Sequence, residues 1–145
     1  MSQDLSPHTI ALSQAHLQQM RRAVAGGVPE EACGLLAGLT QKGTFQVRKI
    51  IPITNELRSP VQYRMDPQEQ IDAFNQIEAQ GLELVGIYHS HPGGPPGPSP
   101  TDIAEAYYPE AVYLIWSYQA GEWQCNAFLI RNQRVDPVNI SVMEL

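Results

Sequence analysis

Apolar residues alternate with polar ones at two distinct periods along the chain, and the changes of period mark out its elements. Leu17, Met20 and Val24 recur at helical spacing after Ser13, and Gly26-Gly27 supplies a stop, so a first helix is predicted from Gln14 through Val24. Cys33 to Gly38, a turn at Gln41-Lys42-Gly43, and the alternating run Phe45 to Ile51 predict a β-hairpin. Asn55 to Pro60 is polar and proline-bounded, hence a loop, and Tyr63-Arg64-Met65 is a short extended stretch. Asp66 as cap and Pro67 at the first helical position open a second helix, with Ile71, Phe74 and Ile77 directed to the core and Gly81 as its end. Leu82 to Tyr88 reads as a buried strand, Ser99-Pro100-Thr101-Asp102 as the start of a short helix through Tyr107. Val112 to Trp116, Trp123 to Ile130 and Val135 to Val142 read as strands, the first two joined near Ala120-Gly121. Helices interspersed with hairpins predict an α+β or mixed α/β fold, one curved sheet with helices packed against it.

Length and composition narrow this picture. With 145 residues, 43% of them apolar and 17% charged, residues 1–145 are expected to form a single domain around one core without disulfides. Cys33 and Cys125 are too few and too scattered for a disulfide framework or a four-cysteine zinc site, and both are expected to be reduced thiols. The net charge of -6 and the absence of a basic run argue against a nucleic-acid partner. No stretch approaches the ~20 apolar residues that span a bilayer, and the amino terminus lacks a charged-then-apolar leader, so a soluble cytoplasmic protein is expected.

Chemistry concentrates after the buried strand. His89 and His91 are two residues apart, so on a strand their side chains leave the same face with Cα atoms about 6.6 Å apart. Two imidazoles so placed can converge on one ion at about 2.0 to 2.1 Å. Asp102, eleven residues beyond His91, can be delivered as a third ligand by the intervening Pro92-Gly93-Gly94-Pro95-Pro96-Gly97-Pro98 loop. Two histidines and a carboxylate with a place left for water is the composition of a catalytic zinc site. Each piece also has an ordinary explanation. A His-x-His on a strand is usually structural, and Ser99, Pro100 and Asp102 make a standard helix start. Together, His-x-His-Pro, six residues, Ser, two residues, Asp specifies five positions, a chance match on the order of one in a few million per start.

His89-Ser90-His91-Pro92 with Ser99 and Asp102 resembles the signature of the JAMM (JAB/MPN) zinc metalloproteases position for position. Pro29 to Gly38 resembles the upstream Glu-x-x-Gly strand of bacterial members, and weaker similarity takes in Asn55, Tyr63 to Pro67 and Leu84 to Tyr88. The resemblance implies a warped β-sheet flanked by helices, Zn2+ held by His89, His91 and Asp102, Glu31 as general base, and Ser99 as donor to the oxyanion. If the strand of Gly34 extends back through Glu30 and Glu31, those two point in opposite directions and only one faces the metal. Ser99 would cap a helix through the same oxygen that the oxyanion needs, so its two roles compete. His8 and His16 have no ligand-spaced partner; Cys33, Trp116 and Trp123 read as packing.

The resemblance further implies hydrolysis after the C-terminal Gly-Gly of a ubiquitin-like protein. Short bacterial members with the Glu-Ala-Cys-Gly pattern look like peptidases that release an attached amino acid such as cysteine from a ubiquitin-like sulfur-carrier protein, the partner favoured here. A general deconjugase or deubiquitinase-like isopeptidase, a peptidase of phage-tail or cell-wall processing, and a non-catalytic MPN scaffold are the alternatives. The sequence leaves the oligomeric state open.

Overall fold

The computed structural model describes residues 8–143; part of the amino-terminal segment read above for a leader lies outside them. The elements in chain order are β1 (Thr9–Ser13), α1 (Gln14–Gly27), β2 (Cys33–Gln41), β3 (Thr44–Ile53), α2 (Pro67–Ala79), β4 (Glu83–His91), α3 (Pro100–Ala104), β5 (Val112–Gln119), β6 (Glu122–Arg131) and β7 (Arg134–Met143). The expected α+β mixture of one curved sheet and packed helices is what the chain forms. The sheet is curved far enough to close: its order is β1-β3-β2-β4-β5-β6-β7, and β1 pairs with β3 on one side and β7 on the other, parallel to both.

Two apolar layers follow from the pleat. On one face Leu36, Tyr88, Leu114, Trp116 and Leu129 pack with Met20 and Val24 of α1. On the other, Cys33, Leu35, Ala37, Ile87 and Tyr113 pack with Ala73 and Ile77 of α2. Because both faces are covered, β4 and β5 are near-continuous apolar runs rather than alternating ones. His89 and His91 share the parity of Ile87, so they project on the face that α2 covers.

Local chemistry sets the ends of the helices. α1 opens with a capping box in which Ser13 Oγ accepts from His16 N and His16 Nδ1 accepts from Ser13 N, which gives His16 a structural task. α2 starts from the Asp66 cap with Pro67 behind it, as the sequence predicts. Its buried stripe, however, is Ala73 and Ile77, and Ile71 is 53% exposed. At roughly 100° per residue, positions 73 and 77 lie about 40° apart around the axis while 71 lies about 120° from 77, so the three-residue spacing carries Ile71 off the core stripe. α3 ends at Ala104, short of the expected Tyr107. Pro109 disfavours a helical Tyr108, and the chain leaves the helix before reaching it. β5 and β6 turn at Ala120 and Gly121, both with positive φ (53° and 80°), the two-residue turn whose twist matches a hairpin.

Gly34 has a packing reason. A Cβ there would lie 2.3 Å from Tyr88 Cε2, so the Tyr88 ring occupies the space that a side chain on the neighbouring strand would need. Gly34→Ala is expected to lower unfolding free energy by about 1–3 kcal/mol through forced displacement of that ring, read by chemical denaturation; an unchanged midpoint would show that the ring relaxes freely.

Candidate metal centre

β4 delivers two imidazoles into the α2 side of the sheet, and the cap of α3 delivers a carboxylate to meet them. His89 Nε2 and His91 Nε2 are 3.1 Å apart, and Asp102 Oδ2 lies 3.2 Å from the first and 3.1 Å from the second. A tetrahedral ion with bonds of about 2.0–2.1 Å holds neighbouring ligand atoms about 3.3–3.4 Å apart, so this triangle has the dimensions of three corners of such a site. Glu31 stands next to it: one of its carboxylate oxygens lies within 4.8 Å of a ring nitrogen of each histidine. Both carboxylates therefore border the imidazole pair: Asp102 Oδ2 at hydrogen-bond distance from each Nε2, and Glu31 in a group with the two histidines that could itself hold a metal ion.

Each group is held by its neighbours. Asp102 and Ser99 form the capping box of α3: Ser99 N donates to Asp102 Oδ2 at 2.9 Å, and Ser99 Oγ accepts from Asp102 N at 3.0 Å. The oxygen that faces the imidazoles is therefore also the capping oxygen. Ser99 uses an acceptor position for the cap, which leaves its O–H as a donor; capping and donation outward are compatible, contrary to the competition expected from the sequence. His91 Nδ1 lies 2.7 Å from the carbonyl of Pro95, which fixes the tautomer that turns the Nε2 lone pair inward.

Glu31 is positioned by a loop. β2 begins only at Cys33, so strand alternation does not choose between the two glutamates. Glu31 is nevertheless the buried one, and Glu30 is half-buried. Its N–H donates to Ser59 O at 2.8 Å and its carbonyl accepts from Asn55 Nδ2 at 3.0 Å. Next door, Ala32 N donates to Ser90 Oγ at 2.8 Å, and Ser90 N to Ala32 O at 3.0 Å, which ties the segment to the residue between the two histidines. Asn55 and Ser90 received no role from the sequence. The signal for Asn55 was present, a polar side chain at the entrance of a proline-bounded loop; that it would be buried and bonded in several directions depends on contacts distant in the chain.

The electrostatics follow from burial and contact. Burial pushes the Glu31 carboxyl up to about 8, with His91 pulling it down and Asp102 pushing it further up. Burial also works against charge on Asp102, but hydrogen bonds with both imidazoles and with the Ser99 N–H win and hold it well below the usual carboxylate range. Burial lowers His89 despite Asp102. At His91 burial is outweighed by Asp102 and Pro95, and the net shift is upward. Cys33 is pushed up to about 12 by burial and donates to Ile53 O, so it stays a thiol in the core near the site. Trp116 is likewise core, and Trp123, partly buried, packs against that core cluster.

A cleft of about 530 Å3 opens beside Asp102, between the 57–65 segment and the chain after α3, with Tyr63, Met65, Ile87, Tyr107, Tyr108 and Tyr113 among its walls. Among the described residues no helix is long and apolar enough to cross a membrane.

Comparison with known proteins gives the family and the fold. The family described as prokaryotic homologs of the JAB domain matches residues 13–130. The desampylase of Haloferax volcanii is 40% identical over 117 residues, 77% of this chain and 83% of that protein. The CysO-cysteine peptidase of Mycobacterium tuberculosis is 42% identical over 89 residues, 61% of this chain and 60% of that protein. The solution structure of a Desulfitobacterium hafniense protein superposes with a TM-score of 0.85 at 34% identity, covering 94% of each chain.

The buried glutamate makes a prediction for the metal-free protein. With a folded value near 8 against 4.5 unfolded, Glu31 keeps its proton in the fold while the unfolded chain gives it up, so its cost is absent below pH 4.5 and grows as pH rises toward 8. In chelator-treated protein, Glu31→Gln is expected to raise stability at pH 8 by on the order of a few kcal/mol and to change it little at pH 4. Denaturation at the two pH values measures this; an equal effect at both would mean that Glu31 is not desolvated.

Proposed function

Because the chain belongs to the prokaryotic homologs of the JAB domain, we propose that it is a zinc-dependent peptidase hydrolysing the bond after the C-terminal Gly-Gly of a ubiquitin-like sulfur-carrier protein. The attached group, an amino acid such as cysteine, is released. The observation that carries this reading is the triangle of His89 Nε2, His91 Nε2 and Asp102 Oδ2, with edges of 3.1 to 3.2 Å, and a desolvated glutamate beside it. His89, His91 and Asp102 are the ligands in this reading, with the fourth position left to water. The chemistry supplied by zinc when bound is Lewis acidity and a water made nucleophilic near neutral pH.

The chain's own groups divide the remaining work. Glu31 accepts the proton of the attacking water and passes it to the leaving amine nitrogen; its buried position suits a base whose pKa must lie near the working pH. The Ser99 O–H, free of its capping duty, donates to the oxyanion of the tetrahedral intermediate. Asn55 and Ser90 hold the Glu31 segment at its distance from the imidazoles. The cleft beside Asp102 takes an extended tail, and glycines at the scissile end let backbone approach where a side chain would not fit.

The named relatives support the substrate class. One is named a desampylase and another a CysO-cysteine peptidase, and we take both names to point to a ubiquitin-like carrier or its adducts as the substrate class here. The first favours a second reading, a general deconjugase, which uses the same residues and differs in the leaving group. A carrier-cysteine adduct and an isopeptide conjugate, offered side by side, separate the two.

Glu31→Gln is expected to retain zinc and to lose about 10²–10⁴-fold in hydrolysis of a Gly-Gly-extended carrier, whereas His89→Ala is expected to lose both. Metal analysis and mass spectrometry of the products read the two quantities. Full turnover by Glu31→Gln would remove Glu31 from the role of base.

A further inference from the structure

We propose that Tyr63 is a positioning residue for the metal: its ring fixes the imidazole of His89, the task that a backbone hydrogen bond performs for His91. The inference rests on the zinc reading above. A histidine ligand nearly always gives its second ring nitrogen to a hydrogen-bonding partner that sets the ring's orientation. His91 has one in the Pro95 carbonyl, 2.7 Å from Nδ1. His89 does not: its Nδ1 is buried and has no hydrogen-bond partner among the described residues.

A flat contact stands in its place. The rings of Tyr63 and His89 are stacked, with centroids 4.6 Å apart and planes 25° from parallel. The edge of His91 closes on the same imidazole, at 4.9 Å and 68°. Histidine χ2 is a broad, roughly two-fold torsion, so a ring held only through its Cβ swings and carries Nε2 away from the other two ligand atoms. A face pressed against one side of the ring limits that swing.

Tyr63 is itself held firmly enough to serve. One buried side chain brackets it: Asn55 Nδ2 donates to Gln62 O at 3.0 Å and Asn55 Oδ1 accepts from Arg64 N at 3.0 Å. Glu56 N donates to Arg64 O at 2.9 Å, and Asn55 forms a bridge with Met65, so the backbone on both sides is fixed. The Asn55 that supports Glu31 thus also supports the ring on His89. The hydroxyl has no part in this task, so phenylalanine should perform it.

The test uses the full chain and reads zinc affinity by competition with a chromophoric chelator, together with the visible spectrum of the Co2+-substituted protein. Tyr63→Phe is expected to bind zinc within threefold of wild type and to keep its cobalt spectrum, while Tyr63→Leu is expected to bind about 10- to 100-fold more weakly with an altered spectrum. Because a leucine variant can fail to fold, the metal-free wild type gives an independent reading: its His89 ring protons are expected to be shifted upfield by the Tyr63 ring current in NMR spectra. Tyr63→Leu with wild-type affinity and spectrum, or His89 protons without that shift, overturns the inference while leaving the zinc reading intact. Wild-type protein that takes up no zinc overturns both.

Discussion

Three electron-rich atoms face one another at hydrogen-bond distance only where protons or a cation lie among them. His89 Nε2, His91 Nε2 and Asp102 Oδ2 are in that situation, and only one N–H among the imidazoles is needed to relieve part of it. The opposite shifts of the two histidines express the same constraint: burial disfavours the charged form of His89, whereas at His91 Asp102 and the Pro95 carbonyl outweigh burial and favour it. A divalent cation at the centre of the triangle would answer all three atoms at once. The rest of the molecule is arranged so that this costly convergence is retained in the fold.

That retention is achieved by elements from four parts of the sequence. β4 is buried on both faces and hydrogen-bonded to β2 and β5, so neither histidine Cα has freedom to move. The cap of α3 spends the same carboxylate oxygen on the helix terminus and on the triangle, which couples the start of that helix to the site. Asn55 joins the Glu31 segment to the loop that carries Tyr63. Glu31, the His89–His91–Asp102 triangle and the cleft wall are therefore parts of one hydrogen-bonded unit, although they are separated by up to 71 positions along the chain from Glu31 to Asp102.

How much of this was legible depended on whether the information was local. The His-x-His parity, the capping signal at Ser99 and the strands of β4 to β7 are written in neighbouring residues, and the observed strands lie close to where the pattern predicts them. The choice of Glu31 over Glu30 came from resemblance alone, since the chain at that point is not a strand and its pattern has no period. β1 has no forecast in the pattern: five residues directly abutting a helix carry little periodic signal, and its partners, residues 44–46 and 139–143, are both distant in the chain. Ile71 misled because an apolar residue at a three-residue spacing drifts around a helix. Tyr63 and Asn55 lie in a segment that has no period at all, and their value comes only from what the fold brings beside them.

The pairing of β1 with β7 has a mechanical side. The two strands run parallel over five matched positions, Thr9 to Ser13 against Asn139 to Met143, so the start of one and the finish of the other lie at opposite ends of the ribbon they form. Tension applied between the two ends of the fold would run along that ribbon and load its cross-links together, as in a lap joint, instead of peeling them one at a time. The first rung to resist traction on the chain is thus the seam by which the sheet is closed.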